Sequence, residues 1–265
     1  MSLLKRPRWK LRQSLNYLIR RPALSPVRFV IFGRGRSGST ALVSLLDGVR
    51  GIHCDGEILS QPVLLPRPYL YSQCARSQAS VYGCKVLSYQ IRDVQPLWQR
   101  QQFLHYLTAA GFKIIYLRRV NLFHHALSNI QARVGGFHRR ATETGQPPAA
   151  ITVAPELLLD WMRRSEELAR FEQRLLQGVT ALSLTYEEHL RYSPQHQSTV
   201  DTICDFLGVP SSPVASAYAK LLPQRWQDAI ANSQEIIDYF SHTPYAPYLI
   251  ADSSAQDRSP PPELE

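Results

Sequence analysis

Apolar positions along the chain come in two spacings that take turns. Val30, Ile31 and Phe32 form a short uninterrupted run of β-forming residues, and positions 41–46 return to the spacing of a helix that buries one side. The same exchange recurs. Positions 51–54 read as a short strand closed by a turn at Asp55 and Gly56, which leaves Glu57 where the chain departs from that strand. Positions 82–88 read as a third strand, 97–110 as a helix stopped by Gly111, and 112–117 as the strongest strand after the first. Helical spacing follows over 120–133 and, at greatest length, over 155–176, where Pro155 suits the first turn. A further strand spans 179–184, and helices are expected over 194–207 and through 213–240. Two stretches show no period: 62–79, with Pro62, Pro66 and Pro68, reads as a loop or lid, and 135–148 as a flexible, partly basic loop. Strands alternating with helices pair in parallel through right-handed crossovers, so the expected class is α/β, a parallel sheet flanked by helices.

A chain of 265 residues, 44% hydrophobic and 19% charged, suffices for one sizeable α/β core and would be crowded as two. No apolar stretch reaches the roughly 18 residues that would cross a bilayer, so a transmembrane anchor is not expected. The formal net charge of +9 points to nucleic acid only until its distribution is read. Lys5, Arg6, Arg8, Lys10, Arg12, Arg20, Arg21 and Arg28 all precede the first strand with no acid among them, and the remainder is nearly neutral. Residues 1–26 are therefore a basic N-terminal segment, 27–250 the main domain, and 251–265, with three consecutive prolines, a disordered tail. In the basic segment Trp9, Leu11, Leu15, Leu18 and Ile19 supply the apolar side of a short helix, which suits a membrane surface and packing on the domain equally well. A nucleic-acid partner is not expected, because no aromatic-basic stripe accompanies the charge. Cys54, Cys74, Cys84 and Cys204 show no metal-ligand spacing and no disulfide framework. Free thiols suit the cytoplasm, with a peripheral place at the membrane as the alternative.

The chemistry concentrates in the turn after the first strand, GRGRSGST. Gly33, Gly35 and Gly38 let the backbone approach a ligand, and successive amides together with the following helix N-terminus converge on an anion. Arg34, Arg36, Ser37, Ser39 and Thr40 add charge and hydroxyls. Gly33 and Gly38 have the spacing of the nucleotide-binding loop GxxxxGK[ST], but Ser39 stands where that motif has its lysine. A second corner, where the strand at 112–117 ends in Arg118 and Arg119, belongs to the same edge of a parallel sheet, the edge at which open α/β sheets bind ligands.

Taken in order, GRSGST, DGE, CKVLSYQ, YLRRVNLFHHALS, LTYEEHL and DFLGVP resemble sulfotransferases that use 3′-phosphoadenosine 5′-phosphosulfate (PAPS), closest in pattern to the bacterial group acting on trehalose and lipopolysaccharide. The resemblance implies a P-loop-like α/β sulfotransferase fold and transfer of a sulfuryl group from PAPS to a hydroxyl of a carbohydrate or glycolipid, without a metal. It implies that Arg36, Ser37, Gly38, Ser39 and Thr40 hold the 5′-phosphosulfate, that Arg119 and Ser128 hold the 3′-phosphate, and that Tyr186 lies near the adenine. It further implies that Arg36 meets the developing charge, where the cytosolic relatives carry a lysine. Those relatives place a histidine base two residues after a strand lysine, whereas Lys85 is followed by Val86 and Leu87. Glu57 matches the glutamate proposed as base in the trehalose-sulfating group, with His53, His124 and His125 in reserve. The competing readings are a P-loop kinase, which the missing loop lysine and the arginines at 118 and 119 disfavour, and a non-catalytic nucleotide-binding module.

Overall fold

A computed structural model describes residues 8–135, 150–215 and 225–250. Nearly all of the loop expected over 135–148, part of the helical region through 213–240 and the tail at 251–265 lie outside the described residues. Five strands, β1 (Val27–Gly33), β2 (Ile52–Glu57), β3 (Val81–Leu87), β4 (Phe112–Arg118) and β5 (Ala181–Thr185), form one sheet in the order β2-β3-β1-β4-β5, every pairing parallel. The helices are α1 (Arg8–Arg20), α2 (Ser39–Asp47), α3 (Pro66–Ser77), α4 (Phe103–Ala109), α5 (Leu122–Gly135), α6 (Pro155–Leu176), α7 (Tyr186–His189), α8 (Pro194–Leu207), α9 (Ser233–Ser241) and α10 (Pro247–Ile250). This is the α/β class that the alternating pattern implies.

The described chain forms two compact units, the first Met1–Arg119 with Leu168–Ala217 and the second Val120–Glu167 with Tyr218–Glu265. The first holds the sheet. Its central strand β1 is apolar on both faces: Phe29 and Ile31 enter one layer, Val30 and Phe32 the other, and all four are buried. Leu42 and Leu45 of α2 with Val200 and Ile203 of α8 cover the first face, and Leu70 of α3, Leu104 of α4 and Leu175 of α6 cover the second. Side chains that alternate along a strand need such a cover on each face, which is why a parallel sheet lies inside. In the second unit Phe123 and Leu127 of α5, Met162 of α6, Trp226 and Phe240 make a separate core, with the Phe123 ring edge-on to Trp226 at 4.8 Å.

Three local expectations change. The stretch 62–79 is largely helix, because Pro66 and Pro68 sit in the first turn of α3, where backbone N–H groups lack acceptors anyway, and Tyr69, Leu70 and Cys74 are buried. β2 does not turn away at Asp55 and Gly56; it continues to Glu57, with a register shift between Asp55 and Glu57 that makes the glycine a bulge. The helix expected from 97 begins as a 3₁₀ turn at Arg100–Gln102 and becomes α-helical only at Phe103, and Trp98 stands fully exposed before it.

The strand order puts β1 beside β4. The chain leaves β1 toward β2 on one side and leaves β4 toward β5 on the other, so the crevice of diverging connections opens between the ends of these two strands.

Candidate active site

Both arginine-bearing corners open at that crevice. Gly33 closes β1 so tightly against β4 that an added Cβ would lie 2.0 Å from the Leu117 carbonyl oxygen. Gly38 caps α2 with φ +84°, and a Cβ there would meet the Tyr186 ring at 2.7 Å. Arg36 is also left-handed, at φ +64°, a conformation that a non-glycine residue keeps only where its surroundings hold it. One such hold is Arg119, whose Nη1 donates to the Arg36 carbonyl at 3.4 Å. Within the turn, Ser37 is completely buried and, among the described residues, its hydroxyl has no hydrogen-bond partner. An unpartnered buried hydroxyl costs about 1–3 kcal/mol, which a ligand oxygen would offset. The first turn of α2 carries no acid, and Gly38 offers its N–H groups no side-chain cap, so the positive end of the helix dipole faces the same loop.

Arg118 and Arg119 follow the strand's alternation. Arg118 is exposed and Arg119 is buried, its guanidinium stacked 4.6 Å from the Tyr186 ring centroid. Burial, with the charge of Arg119 as the lesser cause, lowers the Arg36 pKa from its ordinary value. Two guanidinium groups that burden each other in this way favour an anion in their vicinity. Arg34, counted from sequence among the loop's donors, turns into the interior: Nη2 donates to the Arg119 carbonyl at 3.1 Å, and Nε lies 3.5 Å from Oε2 of fully buried Glu172 on α6. Glu172 also accepts from the hydroxyls of Ser88 at 2.7 Å and Tyr116 at 2.8 Å. Burial raises its pKa, and Arg34 and the two hydroxyls oppose that rise. The carboxylate thus ties the phosphate-type loop, the end of β3 and the end of β4 to one helix.

Glu57 stands at the last position of β2 in register with Lys85 of β3. Its Oε1 is 3.1 Å from Lys85 Nζ, and its Oε2 accepts from Gln90 Nε2 at 2.9 Å. Lys85, the one charged residue of an otherwise apolar and entirely buried strand, also donates to Thr40 Oγ1 at 3.1 Å. The ammonium group therefore bridges Glu57 and the first turn of α2. Gln90 opens a π-helical turn after β3 and fixes its own amide by accepting from the Leu87 N–H at 3.0 Å.

Arg36, Ser37, Gly38, Ser39, Thr40, Arg119 and Tyr186 thus lie in one unit, and Glu57 reaches Thr40 through Lys85. Ser128 is buried on α5 in the second unit. His53 sits near the start of β2 between Asp47 at 3.3 Å and Asp55 at 3.2 Å. Four strand steps, about 13 Å, separate it from Glu57, so it belongs to the other end of the strand and drops out as a reserve base. His124 and His125 are buried in the second unit, where Ser165 Oγ lies 2.9 Å from His125 Nδ1. Among the described residues no group of three or more His, Cys, Asp or Glu side chains could hold a metal ion.

Sequence reasoning missed Lys85, Gln90 and Glu172 as members of the site. The signals available were a lysine inside a strand of apolar residues and an acid on the apolar stripe of α6 that carries Leu158, Met162 and Leu175.

No family model matches the chain, and no curated protein matches it. Among solved structures, mouse sulfotransferase SULT7A1 complexed with PAP aligns with a TM-score of 0.41 at 16% identity, over 76% of this chain and 65% of that one. This chain therefore spans just under two thirds of that neighbour's length.

Proposed function

We propose that the protein is a PAPS-dependent sulfotransferase that sulfates a hydroxyl of a carbohydrate or glycolipid. The observation that carries the reading is the buried, unpartnered Ser37 hydroxyl in a glycine turn between Arg36 and the acid-free N-terminus of α2, with Arg119 beside it. These are donors for two anionic groups. The 5′-phosphosulfate suits the loop from Arg36 to Thr40, and a 3′-phosphate suits Arg119, with Tyr186 toward the base. At the end of β4 two arginines stand where a nucleoside triphosphate enzyme would be expected to place a metal-holding acid, which favours sulfuryl over phosphoryl transfer.

The bound nucleotide supplies the sulfuryl group. The chain's residues position it, accept a proton and neutralise charge. Glu57 takes the hydroxyl proton of the acceptor, and Gln90 and Lys85 fix the direction of its two oxygens. Lys85 and Arg36 bring positive charge to the side on which the bridging oxygen becomes negative.

Thermal melting with 3′-phosphoadenosine 5′-phosphate (PAP) and with ATP tests this. At 100 times its dissociation constant PAP stabilises the fold by about 2.7 kcal/mol, while ATP, which lacks a 3′-phosphate, gives a much smaller shift at equal concentration. Equal shifts with both nucleotides would return the chain to the kinase reading.

A further inference from the structure

The N-terminal helix α1 buries two polar residues, Lys10 and Ser14, and turns Leu15 and Ile19 to solvent. Lys10 Nζ donates to the Ile58 carbonyl at 3.3 Å, and Ser14 Oγ lies 3.3 Å from the Leu65 carbonyl. Gln13 accepts from Gln73 at 2.8 Å, and Tyr17 packs on Tyr71. On the opposite side Leu15 is 43% exposed and Ile19 is 79% exposed. Arg8, Arg12, Leu15 and Ile19, at successive helical steps of four, three and four, form one outward stripe. A helix that served only the core would be turned the other way round.

We infer that this stripe docks on an anionic membrane surface. Apolar side chains aligned on an exposed helix beside arginines fit the boundary between lipid headgroups and acyl chains, where the apolar groups enter the boundary and the guanidinium groups meet lipid phosphates and carboxylates. Charge complementarity fixes the partner, because the chain has no acidic residue before Asp47 to weaken the attraction. A second copy of the same face would instead set arginine against arginine. The docking does not depend on which reaction the crevice carries out.

The test is co-sedimentation of the full chain with vesicles of phosphatidylcholine containing phosphatidylserine and with vesicles of phosphatidylcholine alone. Binding is expected to the first and not to the second, and to weaken with salt. Arg8→Gln with Arg12→Gln should lower the affinity by about fivefold for each arginine removed. Leu15→Gln with Ile19→Gln should abolish binding, and both double variants should melt at the wild-type temperature because the altered side chains are exposed. Equal binding to both vesicle types, or wild-type binding by either double variant, overturns the inference. So does a wild-type dimer that the Leu15 and Ile19 variant separates, since the face would then be a self-association surface.

Discussion

Glu57 and Lys85 stand 3.1 Å apart at neighbouring strand ends, and that spacing changes what a substitution at either position reports. Glu57→Gln keeps the shape and one acceptor oxygen but cannot take a proton. Turnover of an acceptor hydroxyl should fall by about 10²- to 10⁴-fold while the PAP-induced melting shift stays near wild type. Initial rates at saturating nucleotide check this, and a variant that keeps most of its rate would leave Glu57 as a partner of Lys85 and nothing more. The two arginines at the end of β4 make a sharper pair. Arg119 is buried against Tyr186 and Arg118 faces solvent, so Arg119→Ala should weaken PAP binding by about 1.5–3 kcal/mol in calorimetry. Arg118→Ala should change it by about 0.5 kcal/mol or less. Equal losses would mean that the strand's alternation does not decide which arginine meets the nucleotide.

The elements of the first unit meet at one buried carboxylate. Glu172 of α6 gathers Arg34 from the loop, Ser88 after β3 and Tyr116 of β4, so Glu172→Ala should cost about 3–5 kcal/mol in denaturant unfolding, the range for breaking a buried pair from one side. Its pH dependence has a definite sign. Burial raises the folded-state pKa of Glu172 above its unfolded value, so between the two the folded state holds more protons than the unfolded chain. Stability from this group is therefore greatest below the ordinary glutamate range and declines as pH rises through that window. Glu172→Gln, which cannot ionise, should lack this decline. The difference in unfolding free energy between variant and wild type should move in the variant's favour as pH increases from the ordinary glutamate value upward. A pH-independent difference would mean that Glu172 has the same pKa folded and unfolded, its pairing with Arg34 and the two hydroxyls fully offsetting its burial.

At the scale of the whole chain the excess charge is an N-terminal property, and the same segment is part of the packed structure: α1 lies on α3 through Gln13 and Tyr17 and on the stretch before α3 through Lys10 and Ser14. Deleting residues 1–26 should accordingly lower the melting temperature, by about 2–4 °C for each kcal/mol lost, as scanning calorimetry would read. An unchanged melting temperature would mean that α1 contributes nothing to stability. The sequence by itself determined the class of the fold, because strand and helix periods are local and each of the five strand-type runs of apolar residues had no alternative but to pair inside a helix-covered sheet. It also marked the phosphate-type loop, since the need of Gly33 and Gly38 for bare backbone shows as glycine within a few residues. Pro66 and Pro68 misled for the opposite reason: a proline breaks a helix or starts one depending on whether the next turn, here Tyr69, Leu70 and Cys74, finds a surface to bury against. Only the tertiary structure decided which polar groups share the crevice. Glu57 and Lys85 come together because β2 lies beside β3, Arg34 and Glu172 because α6 crosses behind the loop, and residues so far apart in the chain carry no mark of their meeting. The direction in which α1 turns its leucines was likewise fixed by hydrogen-bonding carbonyls at Ile58 and Leu65, which drew Lys10 and Ser14 inward and left the apolar stripe outside.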